Sequence, residues 1–455
     1  MANVITYGTF DFFHEGHRNI LRRAKEIAGK DGRLFVGVTS ENYDRERGKL
    51  NVCQDLQTRM RQVQDSGFAD EVFVEEYEGQ KIEDMRRYSI DKFVIGDDWA
   101  GKYDYLGEWC EVVYLPRTKG VSSTGIRNDS TRLLHGGIVG SGRIAGRFVA
   151  ESRFVSGVVF DAVFNPRKTS ADDFAANHGL KGSFDDFDKM LGEVDLVYVA
   201  TPHVNHAEYV RCALKAGKHV LCEKPLTLSA QEAKELYALA EKNGVVLQEA
   251  LKTAFAPGFK HLVNLAKGGL IGQIRQVRAT FTKLMTDKTL REFDKAQGGG
   301  AVSELLSYVL CPTIKLLGRQ IDPRKVDFNL IKDEECEVET FASGMIKYDG
   351  ATALLTVGLM AKDEGCLSIA GTKGYIWVPS PWWKTEYFEI RNDMGQPTRR
   401  FFFRFAGDGL RYELAEFVKR ISMGIDNKTW SSEDSIESLR IIEFIRNGQS
   451  RASVV

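Results

Sequence analysis

Two histidines three residues apart, His14 and His17, stand in the stretch GTFDFFHEGH (residues 8–17), and imidazoles so spaced suit either metal ligation or the handling of charge. Zinc peptidases place two histidines four apart on one helical face, with a glutamate between them as general base. Here the spacing is one residue short and Gly16 precedes the second histidine, so no metal site is expected. An apolar strand, VITYG, leads into the stretch, and Ile20, Leu21, Ala24 and Ile27 after it trace an amphipathic helix. His17 therefore falls at a helix N-terminus, where free backbone N–H groups and the positive end of the dipole favour an anion. The small residues before it let a phosphate chain approach. Two imidazoles there can donate to charge developing on phosphate during nucleotidyl transfer, in which positioning and electrostatic stabilisation supply the catalysis.

More cations and donors follow: Arg47 and Lys49 in RERGKL, Arg59 in TRMRQV, and Arg117, Ser122, Ser123 and Thr124 in RTKGVSSTGIR. Singly, such a basic pair is usually solvated surface and such a Ser-Ser-Thr run usually caps a helix. Together they form a triphosphate cradle, and the segment resembles the glycerol-3-phosphate cytidylyltransferase family of HxGH nucleotidyltransferases. The resemblance is carried by GTFD (8–11), HEGH (14–17), Arg47 with Lys49, GDDWAGKYD (96–104) and RTKGVSST (117–124). It implies catalytic roles for His14, His17, Lys49 and Arg117. It also implies CTP contacts from Gly8, Thr9, Phe10, Asp11, Arg47, Arg59, Asp97, Trp99, Ser122, Ser123 and Thr124, with Mg²⁺ accompanying the nucleotide. The implied acceptor is a polyol phosphate or similar alcohol phosphate, and the implied fold is like that of class I synthetases.

A second group begins at GGIVGSGRIAGRF, where Gly140, Gly142 and Ala145 give GxGxxA between a strand and a helix, with Arg143 and Ile144 in the turn. The next strand ends in VFNPRK. An acidic residue there would receive the adenosine ribose hydroxyls of NAD, but Asn165 stands in its place beside Arg167 and Lys168. Loss of the carboxylate and two nearby cations favour NADP over NAD. ATPHVNH (200–206, with Thr201, Pro202, His203 and His206) and CEKP (222–225, with Glu223 and Lys224) follow at strand ends, where ligands bind in open sheets. In GGGAVSELLSYVL, Glu304 and Tyr308 lie four apart on one helical face, a spacing that suits a proton relay to a carbonyl or alcohol.

These motifs resemble the Gfo/Idh/MocA oxidoreductase family throughout residues 137–455. The resemblance implies that Lys224 and Tyr308 support proton transfer while hydride passes between a nicotinamide and a sugar or polyol carbon. It places Glu304 beside them, and the GxGxxA, Asn165, Arg167, ATPHVNH and Glu223 positions around the cofactor. Glu304 departs from the usual Asp, and ELLSY lacks the family's small Gly.

The elements must then bring these residues together. At 455 residues the chain exceeds one hydrophobic core, and its strand and helix rhythm marks it as α/β. We expect a Rossmann-like nucleotidyltransferase domain over 1–130, with the boundary in RNDSTRLLHG, and a dinucleotide-binding Rossmann domain over 131–255. An α+β domain with a mostly antiparallel sheet is expected over 256–455. Within it CEVETFASGMIKYDGATALLTVGLM reads as two long strands around an Asp-Gly turn. Net charge is −1 and the sequence pI is near 6.7, so nothing favours nucleic acid or an anionic membrane, and phosphate binding must be local. Seven scattered cysteines without CxxC, no membrane-length apolar run and no leader pattern suggest a reduced, cytoplasmic protein. Both resemblances imply a homo-oligomer. The expected function is bifunctional: CTP-dependent cytidylyl transfer to a polyol phosphate, and NADP- or NAD-dependent redox chemistry on a related sugar or polyol phosphate. The alternative is a cytidylyltransferase whose second half binds dinucleotide as a regulatory module.

Overall fold

Short apolar runs closed by Gly, Asp or Ser become strands buried on both faces when helices cover them. β1 (Asn3–Gly8), β2 (Arg33–Thr39), β3 (Glu71–Glu75), β4 (Lys92–Gly96) and β5 (Glu111–Leu115) do so, as one parallel sheet in the order β3-β2-β1-β4-β5. The structure, a computed structural model, describes residues 2–40, 43–44, 52, 54, 56–77, 79–116, 133–423 and 429–448. Its chain divides into two compact units, Met1–Leu133 and Leu134–Val455. In the first, Val4 shares one core with Val36 and Val94 beneath helix Glu15–Ala28, which buries Leu21, Ala24 and Ala28. Ile5 and Tyr7 alternate to the other face, with Phe35 and Phe93. The expected amphipathic helix is thus present, with Ile20 and Ile27 packed at the edge of its buried stripe. Strand order reverses between β1 and β4, and GTFD leaves the carboxyl end of β1 at that switch point, where open α/β sheets hold ligands.

The second unit opens with β6 (Leu134–Val139), β7 (Val158–Phe164), β8 (Gly182–Phe184), β9 (Leu196–Val199), β10 (His219–Glu223) and β11 (Leu247–Ala250). All run parallel, in the order β11-β10-β9-β6-β7-β8. Here the switch lies between β6 and β9, so GxGxxA and ATPH emerge side by side. A mixed eight-stranded sheet follows: β12 (Ile274–Thr282), β13 (Val326–Lys332), β14 (Glu339–Tyr348), β15 (Ala351–Gly358), β16 (Leu367–Gly371), β17 (Gly374–Val378), β18 (Tyr387–Arg391) and β19 (Pro397–Phe402). Its β12–β15 pair is parallel and its other pairs are antiparallel. β14 and β15 meet at the expected Asp349-Gly350 turn, where Gly350 takes a φ of 80°. Helix Ala301–Leu317 lies against β12, β14 and β15 and carries Glu304 and Tyr308.

The last two helices, Leu410–Met423 and Ser432–Arg446, return to the parallel sheet. Leu410, Leu414 and Phe417 join Ile138, Phe148 and Tyr198 in one core, and Leu439 joins Val197 and Leu214 in the other. Phe148 and Tyr198 stack at 3.5 Å. The cover of the dinucleotide sheet therefore comes partly from residues that sequence grouped with the C-terminal domain. Among the described residues no helix is long and apolar enough to cross a membrane.

Candidate active sites

After Gly8 the backbone turns sharply, with Phe10 and Phe12 at φ 54° and 48°, a left-handed region that bulky residues adopt only when their surroundings enforce it. Arg59 is one of the enforcers. Fully buried, it donates from Nη1 to the carbonyls of Thr9 and Thr39, both at 2.8 Å, and from Nε to the Gln54 carbonyl at 3.0 Å. Asp44 accepts from the Thr9 hydroxyl at 2.7 Å and lies 3.7 Å from Arg59. Asp11, also buried, accepts the Gln54 N–H at 2.9 Å. Through these contacts the Nε and Nη1 donors of Arg59 shape the loop. Phe10 likewise packs inside, its ring 5.3 Å from that of His17, and a Cβ on Gly8 would come within 3.0 Å of Phe10. Gly8 thus makes room for an aromatic support.

His14 caps helix Glu15–Ala28. Its Nδ1 accepts the His17 N–H at 3.3 Å, its own N–H donates to His17 Nδ1 at 3.4 Å, and the rings stack at 3.7 Å. The two imidazoles therefore stand as one rigid pair at the helix N-terminus, as an anion site needs. Asp97 and Trp99 follow β4 on a 3₁₀ turn, across the switch point, with Asp97 exposed and Lys102 Nζ 4.4 Å from the Trp99 ring centre. Arg47, Lys49, Arg117, Ser122, Ser123 and Thr124 lie outside the described residues. Sequence reasoning passed over Lys81. It is buried at the same carboxyl edge, ion-paired with Glu75, with the Tyr7 and Tyr103 rings 4.7 and 5.6 Å away. The available signal was Lys81, Asp84 and Met85 at i, i+3 and i+4, an inward stripe containing charge.

In the second unit Gly140 has a φ of 99°, and a Cβ there would stand 2.8 Å from the Ala200 carbonyl oxygen, so the turn requires glycine. Gly142 caps helix Arg143–Ser152, and a Cβ on it would meet no protein atom within 4 Å. Its bare backbone leaves the helix N-terminus open to a diphosphate, so this turn fits a dinucleotide. Ala145 is buried in the core beneath. Asn165 donates to Ser141 Oγ at 2.8 Å and accepts the Arg167 N–H at 2.9 Å, tying the two βα turns together. Lys168 is committed to Asp172 and Ser183, which leaves Arg167, exposed and without a side-chain partner among the described residues, as the cation beside Asn165.

One cavity of about 670 Å³ gathers Arg143, Ile144, Thr201, His203, His206, Glu223, Lys224, Glu304 and Tyr308. Lys224 Nζ donates to the Glu304 carbonyl at 2.9 Å, lies 3.6 Å from Glu304 Oε2 and 5.6 Å from the Tyr308 ring centre. Arg291 and His203 approach Glu304 Oε1 to 3.0 and 3.5 Å. Burial pushes the Glu304 carboxyl upward, but Lys224 and its other cationic neighbours outweigh it and hold the pKa at about 2. Glu304 is therefore a fixed anion that anchors cations. Burial likewise takes His203 down to about 3, against the pull of Glu304, so its imidazole is neutral at pH 7 and its one N–H serves either the Gly298 carbonyl at 3.2 Å or Glu304. Burial raises the Tyr308 phenol well above its usual value, and its hydroxyl has no partner among the described residues. It keeps a proton to give. Phe281 stacks on Trp383 at 3.8 Å and lies 5.0 Å from Tyr308, giving the cavity an aromatic wall.

His206 lines the cavity and also joins two of its turns. Fully buried, it has Nδ1 2.8 Å from the Pro225 carbonyl and Nε2 2.9 Å from the Thr201 carbonyl, so it clamps the EKP turn to the ATP turn. Pro202 caps helix His203–Lys215. Glu223 accepts the Tyr198 hydroxyl at 2.6 Å behind the cavity, and Arg143 reaches Glu292 at 3.3 Å.

Glu413 is a further buried acid that periodicity did not flag. Neither carboxyl oxygen has a hydrogen-bond partner among the described residues, and burial, with repulsion from Glu223, raises its pKa well above 4.5. A raised carboxyl favours the folded state most below its unfolded value and loses that advantage as pH rises toward its folded value. Glu413→Met is therefore expected to raise unfolding free energy by about 1–3 kcal/mol at pH 8, by removing an unpaired buried acid. Urea titrations at pH 8 and pH 4.5 check it: the gain should shrink at the lower pH, and a loss at pH 8 would contradict it.

A family model described as Cytidylyltransferase-like matches residues 5–129. Another, Oxidoreductase family, NAD-binding Rossmann fold, matches 134–251, and the GFO/IDH/MocA C-terminal domain matches 259–377. Glycerol-3-phosphate cytidylyltransferase of Bacillus spizizenii is 43% identical over 133 residues, which are 29% of this chain and 100% of that protein. Trans-1,2-dihydrobenzene-1,2-diol dehydrogenase of Oryctolagus cuniculus is 32% identical over 54% of this chain and 75% of its own length. Scyllo-inositol 2-dehydrogenase (NADP(+)) of Bacillus subtilis is 28% identical over 70% of this chain and 97% of its own. Among solved structures, a 3-ketoreductase from Actinomadura kijaniata in complex with NADP and TDP-benzene superposes with a TM-score of 0.64 at 25% identity, covering 71% of this chain and 99% of that one. The chain thus belongs to two enzyme families at once, the cytidylyltransferases in its first unit and the Gfo/Idh/MocA oxidoreductases in its second.

Proposed function

We propose that this chain is a bifunctional enzyme that reduces a keto or aldo phosphate to a polyol phosphate and then couples that product to CTP, giving a CDP-polyol and pyrophosphate. The observation that carries the reading is one cavity in which Arg143 and Ile144, at the helix start after the open glycine turn, meet Lys224, Glu304 and Tyr308, on the same chain as a rigid paired-histidine helix cap. Gly140, Gly142 and the helix start at Arg143 would hold the diphosphate of a nicotinamide dinucleotide, which would supply the hydride. Glu304 and its own carbonyl hold the Lys224 ammonium in place, where it polarises the substrate carbonyl. Tyr308 holds a proton at its phenolic oxygen and delivers it to the oxygen that gains charge. In the first unit an oxygen of the acceptor phosphate attacks the α-phosphorus of Mg·CTP and pyrophosphate departs, with His14 and His17 stabilising the charge that builds on phosphate. A cytoplasmic, homo-oligomeric setting completes the reading.

Asn165 and Arg167 favour NADPH. Arg167→Ala is expected to weaken NADPH binding about tenfold, the scale of one charge-assisted phosphate contact, while NADH binding stays within twofold. Nicotinamide fluorescence titrations read both, and equal loss for the two coenzymes would sink the assignment. The function itself is tested by pyrophosphate release from CTP with a polyol-phosphate panel, and by NADPH oxidation with the matching keto phosphates. No CTP-dependent release with any acceptor would exclude the transferase. Tight NADPH binding without hydride transfer would mark the second half as a regulatory module.

A further inference from the structure

Eight Lys and Arg side chains line the cavity of the second unit against four carboxylates, although the whole chain carries a net charge of −1. Most are spoken for. Arg143 pairs with Glu292, Arg291 and Lys224 with Glu304, and Arg147 and Lys384 reach Asp408 at 3.4 and 3.8 Å. Among the described residues the other three, Lys252, Lys283 and Lys362, have no carboxylate within the 4.0 Å of an ion pair. Lys283 and Lys362 come from neighbouring strand ends. Lys283 follows β12 and Lys362 follows β15, two strands that run parallel in register up to Thr282 and Gly358. The Lys283 N–H donates to the Gly358 carbonyl at 2.8 Å, Leu284 and Met360 form a β-bridge, and the Asp363 N–H donates to Thr282 Oγ1 at 2.8 Å. The two lysines are thus carried on one stitched corner of the mixed sheet, on a different element from the glycine turn that fits the coenzyme diphosphate.

Protein surrounds Lys283 on most sides, yet its side chain remains open to the cavity. Burial, aided by repulsion from Lys224 and opposed by Glu304 and Glu292, brings its pKa down to about 8. Its electrostatic neighbours Lys224 and Glu304 place it beside the reacting groups. Among the described residues Lys362 Nζ donates only to the Asp363 carbonyl, at 2.6 Å, and Lys283 Nζ lies 5.6 Å from the Phe281 ring centre. Two ammonium groups without a carboxylate thus line the same cavity as the carbonyl-polarising Lys224 and match a doubly charged anion on the substrate itself.

Resting on the oxidoreductase reading above, we infer that the redox substrate carries a phosphate group, received by Lys283 and Lys362 while Lys224 and Tyr308 address its carbonyl. That phosphate belongs either to a phosphate monoester, with reduction preceding cytidylyl transfer, or to a CDP ester, with reduction following it. In both cases the two halves of the chain share one phosphorylated intermediate.

The test uses the full chain, NADPH and three matched substrates: a keto-polyol, its phosphate monoester and its CDP ester. Turnover should favour a phosphorylated form by at least tenfold in kcat/KM, and the double variant Lys283→Gln/Lys362→Gln should cut that preference at least tenfold. Whichever phosphorylated form wins identifies the order of the two reactions. Equal use of the unphosphorylated compound, or an unchanged preference in the variant, overturns the inference. A second readout is independent of hydride transfer: inorganic phosphate titrated calorimetrically into the NADPH-bound protein, with saturating CTP occupying the first unit. The parent should bind it at least tenfold more tightly than the double variant. Phosphate binding that survives in the variant overturns the inference. Variant-sensitive binding without turnover of any substrate supports the anion site and faults the oxidoreductase reading instead.

Discussion

Replacing His17 by alanine is expected to lower pyrophosphate release from CTP about a hundred- to a thousandfold, the usual consequence of deleting one preorganised donor to transition-state charge. NADPH oxidation by the second unit should stay within twofold, because that unit has its own core and its own cavity. The substitution removes two things at once. One is the imidazole at the anion site; the other is half of a reciprocal cap, in which the His17 ring accepts the His14 N–H. Losing the cap costs about 0.5–2 kcal/mol, so a thermal melt of the first unit should shift only modestly. His17→Asn restores a cap-capable side chain without an imidazole, and should recover the melt but not the rate. Recovery of both would make His17 a structural residue, and loss of NADPH oxidation alongside would point to damaged folding.

Lys224→Ala is expected to reduce hydride transfer about a hundred- to ten-thousandfold, the range over which positioned acid–base groups act. Coenzyme affinity, read by nicotinamide fluorescence, should change much less. The ammonium also neutralises a buried anion. Without it Glu304 keeps Arg291 at 3.0 Å and a neutral His203 at 3.5 Å, so the variant should lose stability as well as rate. Adding Glu304→Gln to Lys224→Ala removes the orphaned charge and should restore much of the stability while leaving the rate low. A double variant that regained the rate would contradict Lys224 as the polarising group. Acid titration of the parent offers a second view of the cluster. Glu304, held near pKa 2 against an ordinary 4.5, contributes stability above pH 4.5 that fades as pH falls toward 2.

The motifs legible in the sequence are those whose chemistry is local. GTFDFFHEGH, GxGxxA, ATPHVNH and EKP each sit between a strand and its helix, so the carboxyl edge of a parallel sheet gathers them without further instruction. Glu304 and Tyr308 were legible as a pair because one helical turn joins them. What tertiary packing decides was hidden. Arg59 in TRMRQV reads as a cation of the triphosphate cradle, and only the structure turns its Nε and Nη1 inward onto three carbonyls. Glu413 looks like the solvent side of LRYELAEF, but the helix that carries it returns to cover the dinucleotide sheet. Lys283 and Lys362 follow unremarkable strands, TFT and TVG, and become a pair only through the β12–β15 pairing. Lys81 was missed because its helix is mostly charged, which masks an inward stripe.

The most direct measurement incubates the full chain with CTP, NADPH and a panel of three- to five-carbon keto phosphates, and follows CDP-linked products by mass spectrometry alongside NADPH oxidation. A CDP-polyol carrying the two added hydrogens of reduction is expected, formed only when both CTP and NADPH are present. A CDP-linked product that retains the carbonyl while NADPH is untouched, or NADPH oxidation that never yields a CDP-linked compound, would contradict a shared bifunctional pathway.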